Sequence, residues 1–295
     1  MLRALVVSFA ILVASQGIYA ADKNLAASPS RNDVNSKQPT PQANSAARAT
    51  SSEDLTAENE LLAAANKSRD LAGVAPLRVE DSLRDAARTH ALLMITNNRL
   101  EHQFAGEPAL LERVGEVSPL KIDRVGENVA YAGSATDVNA VLMHSAPHRQ
   151  NLLDRGFNVA GIVAIWSQGK LYVVQDFAHD LPSYSARESR ALVGRAVAEM
   201  RRQAGLPELA QLTPANLDEV TCSLANEQRP SVHKIAAAYH NRRIITYTQS
   251  HPELIPQEAM HLLDDPDVRQ FAVGACYARN AAYPTGMYWV AILLY

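Results

Sequence analysis

Three segments of the first half of the chain recur, in the same order, in the second half. NELLAAANKSRDLAGVAPL (Asn59 to Leu77) is paralleled by SRALVGRAVAEMRRQAGLPEL (Ser189 to Leu209), and each ends a helical period at Ala-Gly followed by Val or Leu. VAYAGS (129–134) is paralleled by ITYTQS (245–250), and VAGIVAIWSQGKLYVVQDF by VGACYARNAAYPTGMYWVAIL, which begin at Val159 and Val273. A repeat on this scale calls for two like units, and 295 residues accommodate two domains. The alternative is two unrelated units with a chance likeness; three matches in one order favour duplication.

The N-terminus reads as a secretory signal over residues 1–20. Arg3 provides the positive charge, ALVVSFAILVA the apolar run of eleven residues, and Ala20 the cleavage site. An uncleaved anchor is the other reading of this segment. Residues 21–54 are rich in Ser, Asn, Pro, Ala and Gln and lack a hydrophobic period, which predicts a disordered spacer. No later run is long enough to span a bilayer, so the expected product is a secreted or periplasmic protein with no transmembrane segment in the mature chain. A formal net charge of −3 gives no electrostatic case for nucleic acid.

Within residues 55–182, helical patterning begins near Thr56, a candidate N-cap, and stops at Gly73. A second helix is predicted from Asp81 to Asn97, with His90 on its apolar stripe as a satisfied core residue. GENVAYAG reads as a short strand, and Thr136 as the cap of a further helix. Val159 to Trp166 and Lys170 to Ala178 form a hairpin turning at Ser167–Gly169. Helices followed by a hairpin indicate an α+β fold. Residues 186–295 carry the second unit. The two cysteines, Cys222 and Cys276, both lie there; in an oxidising compartment they predict a disulfide, with two buried free thiols as the alternative.

HSAPHRQNLL (His144 to Leu153) resembles an i, i+4 metal pair, but Pro147 lies between the histidines. Proline is tolerated in a first turn and not in a helix interior, so one helix should end at His144, a solvated position, and another begin at Ser145 and carry His148. Ser145 is read as the cap of that helix, with a Ser–His nucleophile as the rival role.

LEHQF (His102), GENVAYA (Glu127, Asn128), LMHSAPHRQNLL (Ser145, His148, Arg149, Asn151) and YVVQDFA (Gln175, Asp176) occur in this order. The set resembles the CAP superfamily of cysteine-rich secretory proteins, antigen 5, pathogenesis-related-1 proteins and bacterial SCP-like domains. The resemblance covers residues 55 to 180 and implies an α-β-α sandwich, here in tandem, whose cleft is lined by His102, Glu127 and His148. The family's other acidic position falls at Ser145, as is common in bacterial members; Leu142 stands where tryptophan is usual, and Ala146-Pro147 where Pro-Gly is common. In the second unit, matching ITYTQS puts Arg243 at Glu127 and Ile244 at Asn128, Asp267 falls at His148, and His233 is the counterpart of His102. That copy is expected to keep the scaffold and lose the site.

Two imidazoles and a carboxylate can hold a divalent cation such as zinc, with His102 and His148 as ligands. They can act as general acid and base, or Glu127 can orient a neutral imidazole through a hydrogen bond with no chemistry at all. The expected cleft comprises His102, Glu127, His148, Ser145 and Asn128. The favoured function is binding of a lipid, a small hydrophobic ligand or a cell-surface component. The rivals are a metal-assisted hydrolase and a structural envelope protein.

Overall fold

The computed structural model describes residues 51–226, 232–239 and 243–295, together with the backbone of two short strands, β1 (Leu5–Ser8) and β2 (Ile18–Tyr19). The rest of the expected signal segment and most of the spacer lie outside the described residues. The chain divides into two compact units. Among the described residues, those within 51–118 and 124–179 belong to the first, and those within 119–123 and 180–295 to the second.

The first unit contains β3 (Ser52–Glu53), α1 (Leu55–Leu71), β4 (Arg78–Val79), α2 (Asp81–Asn97), α3 (Leu110–Val117), β5 (Ile122–Ala132), α4 (Ala135–His144), α5 (Ala146–Leu153), β6 (Val159–Ser167) and β7 (Lys170–Asp180). The sheet runs β2-β5-β7-β6-β3, with β4 also on β6. Alternation along the strands splits the core into two layers. Ala130, Val173 and Phe177 pack with Leu61 of α1, Val138 and Leu142 of α4 and Leu152 of α5. Val129, Tyr172 and Val174 pack on the other side with Ala87, Ala91 and Met94 of α2. The result is the expected α-β-α sandwich. Gly161 permits its close packing, because a Cβ there would lie 2.1 Å from the Arg84 backbone nitrogen on α2.

Local differences have simple causes. Asp54, not Thr56, caps α1, its carboxylate accepting from Ala57 N at 3.0 Å. Ser134, not Thr136, caps α4, accepting from Asp137 N at 3.1 Å. The break at Pro147 falls as expected, between α4 and α5, but Ser145 makes no side-chain cap bond.

The second unit contains α6 (Ala186–Gln203), β8 (Ala210–Leu212), α7 (Leu217–Ser223), α8 (His233–Tyr239), β9 (Arg243–Gln249), α9 (Met260–Leu263), β10 (Gln270–Asn280) and β11 (Tyr283–Leu294). Its sheet runs β1-β9-β11-β10-β8. Substituting β5, β7, β6 and β4 for β9, β11, β10 and β8 gives the order of the first sheet. Ile245 and Tyr247 pack on the α6 and α9 side, Ile244 on the α7 and α8 side. Cys222 of α7 and Cys276 of β10 are bonded, with Cα atoms 5.2 Å apart. The loop closed by this bond corresponds to about 4 kcal/mol in the chain-entropy account.

Each unit is fastened by one buried arginine. Arg69, at the end of α1, donates from Nε to Ala75 O (2.7 Å) and from its terminal nitrogens to Leu152 O (3.0 Å), Asp154 O (3.0 Å) and Phe157 O (2.8 Å). Arg201, at the end of α6, donates from Nε to Pro207 O (2.7 Å) and from Nη1 to Leu263 O (2.6 Å) and Asp265 O (3.1 Å). Asp154 also pairs with Arg124 at 2.5 Å, and Asp265 with Arg243 at 2.7 Å. Arg243 thus occupies the place of Arg124, and the match of Arg243 to Glu127 is corrected. Glu127 shares the α2 face with Val129, whereas Arg243 has the parity of Ile245 and Tyr247 on the opposite face. An odd-numbered slip of register exchanges the two faces.

Arg69→Lys keeps the charge but cannot serve four carbonyls with one ammonium. The expected loss of unfolding free energy is about 2–4 kcal/mol. An unshifted denaturation midpoint would contradict this role.

Candidate functional site

The motif residues separate into two networks on the two faces of β5. The first is built from amides. Asn128, fully buried, donates to His148 O and to Gln175 Oε1, both at 3.2 Å, and accepts from Asn151 Nδ2 at 3.0 Å. Asn151 Nδ2 also donates to Glu127 O at 3.0 Å. This network fixes the first turn of α5 to the centre of the sheet. His148, 4% exposed, is placed by that turn. The Ser145 hydroxyl is buried and meets no hydrogen-bond partner among the described residues, which contain neither the cap bond nor a Ser–His pair. His144 is exposed, with Nδ1 2.7 Å from Ala140 O, as expected of a helix end.

The second network is charged and lies on the α2 face. Glu127 is fully buried at the centre of β5. One oxygen lies 2.7 Å from His102 Nδ1, and the other accepts from the Arg113 guanidinium. Arg113 Nη1 also donates to Glu107 Oε1 at 3.0 Å and to His102 O at 3.2 Å. His90 Nδ1 lies 2.7 Å from Glu107 Oε1, and its Nε2 2.8 Å from Glu101 O. The side chains of Glu107 and Glu127 thus share Arg113.

Residues 62–177 match the sequence model of CAP, the cysteine-rich secretory protein family. The chain carries a CAP domain. Among solved structures it is similar to an outer surface protein from Borrelia burgdorferi, at 14% identity and a TM-score of 0.42, over 45% of this chain and 100% of that one. It is similar to an extracellular protein containing a SCP domain from Bacillus anthracis, at 23% identity and a TM-score of 0.38, over 42% of this chain and 41% of that one. It is also similar to Na-ASP-1, at 7% identity and a TM-score of 0.46, over 84% of this chain and 90% of that one. A search of curated proteins returns no match.

In the CAP domain, burial pushes the Glu127 carboxyl upward, but the His102 hydrogen bond and the positive charges of His90 and Arg113 outweigh it and hold the group below its ordinary range. Asp176 of β7, on the same face, behaves oppositely. Burial first, then the negative charge of Glu127, holds its carboxyl well above the ordinary range. Among the described residues the Asp176 oxygens meet no donor, and the neighbouring acceptor is Glu127 itself. Two ionised carboxylates cannot bond to each other; a proton on Asp176 lets it donate to Glu127 and resolves the conflict.

Among the described residues, no group of three or more His, Cys, Asp or Glu side chains is placed to hold a metal ion. Of the expected set of His102, His148 and Glu127, the Glu127 carboxylate is paired with Arg113 and His102. Of the expected cleft residues, His102 and Glu127 are joined directly, Asn128 and His148 are joined through the amide network, and Ser145 stands apart. Sequence reasoning missed Arg113 and Glu107. A signal existed: Arg113 lies with Leu110 and Val114 on the buried side of α3, and a charge on an apolar helical face needs a partner.

The pH dependence of stability follows from Asp176. A carboxyl whose folded pKa is raised contributes stability that is complete below its unfolded pKa and is lost as pH rises towards the folded value. Asn at this position donates without titrating. Asp176→Asn should therefore be more stable than the native protein, by a margin that widens from about pH 4 to about pH 8. Denaturant melts across that range measure it, and a margin that stays flat or narrows would contradict the assignment.

Proposed function

We propose that the chain is an exported binding protein that engages a lipid, a small hydrophobic ligand or a cell-surface component through the part of the CAP domain around His102 and His148. The observation that carries this reading is the state of Glu127. A general base needs a carboxylate or imidazole free to take a proton, and here both oxygens of Glu127 are committed. The isolated Ser145 hydroxyl supports the same reading, since an activated nucleophile needs an adjacent base. Export rests on the signal-like segment at residues 1–20. Among the described residues no helix is long and apolar enough to cross a membrane.

The second unit, in this proposal, is a CAP-like copy that has lost the site. The shared strand order, the Arg201 clasp and the Arg243–Asp265 pair support duplication. With Arg243 matched to Arg124, the position of Glu127 falls at Thr246, which carries no charge.

Two assays test the function together. The mature protein should sediment with isolated cell envelopes, and His102→Gln should weaken that association by about tenfold. The same protein should hydrolyse neither casein nor nitrophenyl esters above the level of its variants. A reproducible peptidase or esterase activity abolished by His148→Ala would overturn the proposal.

A further inference from the structure

In the first unit β6 bonds to β7 along one side. Along its other side, among the described residues, it meets two short strands, β4 at Val159–Ala160 and β3 at Ile165–Trp166. The N–H and C=O groups of alternate strand residues point to the same side, so Ala160, Ile162 and Ala164 present theirs to this edge. The Ala160 carbonyl accepts from Glu80 N at 3.0 Å, and the Ala164 carbonyl from Asp54 N at 2.8 Å. The Ala164 N–H donates to Glu58 Oε1 at 3.2 Å. Between them, the N–H and C=O of Ile162 meet no partner among the described residues.

A cavity of about 260 Å³ opens at this gap. Leu55 of α1 and Val79 of β4, 60% and 55% exposed, form its mouth, and Arg84 of α2 and Ile162 lie deeper. The helices α1 and α2 pack on opposite faces of the sheet. A cavity lined by both therefore lies across the sheet edge, in the direction of the Ile162 backbone groups.

The second unit closes the corresponding place. Gly161 abuts the α2 backbone at Leu83 and Arg84, and Gly274 abuts the α7 backbone at Leu217, so Ile162 corresponds to Ala275 and Arg84 to Asp218. There the Ala275 N–H donates to Asp218 Oδ1 at 3.0 Å. Arg84 has no acceptor to offer, and its guanidinium is turned to Glu58 and Glu53. The N–H that the second unit answers with its own carboxylate is left open in the first.

We propose that this gap docks an extended peptide segment of a partner protein. One residue of the segment accepts from the Ile162 N–H and donates its own N–H to the Ile162 carbonyl, and apolar side chains beside it lie on Leu55 and Val79. Main-chain pairing of this kind is how a strand edge recruits a peptide. A carboxylate would answer the N–H alone and would meet Glu58 and Asp81 in the lining. An ammonium would answer the carbonyl alone, and hydrocarbon would bury both groups unpaired. The gap takes no part in the networks of Glu127 and Asn128, so this role does not depend on the function proposed above.

The test titrates the ¹⁵N-labelled full chain with acetyl-Val-Ala-Val-dimethylamide, and with the same peptide methylated at all three backbone nitrogens. The first should bind saturably, move the Ile162 amide signal and slow its hydrogen exchange. The methylated form keeps the apolar groups and loses every donor, and should bind at least about tenfold more weakly. Leu55→Asp and Val79→Asp change exposed side chains and should each weaken binding about threefold or more while leaving the fold intact. Absent saturable binding, equal affinity for the methylated peptide or an unmoved Ile162 amide would overturn the proposal. So would an Ile162 amide already protected before peptide is added, which would put another segment of this chain or a second copy in the gap.

Discussion

Glu127 sits at the centre of a sheet with no solvent contact, and an ion in that position costs several kcal/mol unless its charge and its lone pairs are answered. The answer comes from three separate parts of the CAP domain. His102 arrives from the loop after α2, Arg113 from α3, and His90 from α2 itself, 3.9 Å from the second carboxylate oxygen. Each of these elements is therefore constrained by one side chain of β5. The short helix α3 has little core of its own, and Arg113 and Glu107 explain why it and the preceding loop are held in place.

The opposite face of β5 is organised by the next residue. Asn128 and Asn151 tie α5 to the sheet without charge, and the carbonyl of His148 is one of their acceptors. Adjacent residues of one strand thus govern two chemically different networks, because their side chains leave on opposite faces. The cation that Glu127 meets is Arg113.

Much of this was legible in the sequence. The apolar periods of α1 and α2, the break at Pro147 and the hairpin turn at Ser167–Gly169 follow from local chemistry, and α2 begins and ends where its pattern does. The resemblance carried by His102, Glu127 and His148 pointed to the right fold. What was not legible depends on distance in sequence. The Arg113–Glu127 pair joins residues on different elements, and no local pattern announces it. The roles of Asp154 and Asp265 as shared anchors for two arginines emerge only when each unit is folded. The register of β9 against β5 failed for a related reason: apolar residues on both faces left the alignment of ITYTQS free to slip, and only the Arg243–Asp265 pair fixes it.

The most direct measurement is the ¹³C carboxyl shift of Glu127 and Asp176 followed across pH in uniformly labelled protein. The account predicts that at neutral pH Glu127 shows the signal of a carboxylate and Asp176 that of a protonated acid. Finding both groups ionised, or finding the proton on Glu127, would contradict it.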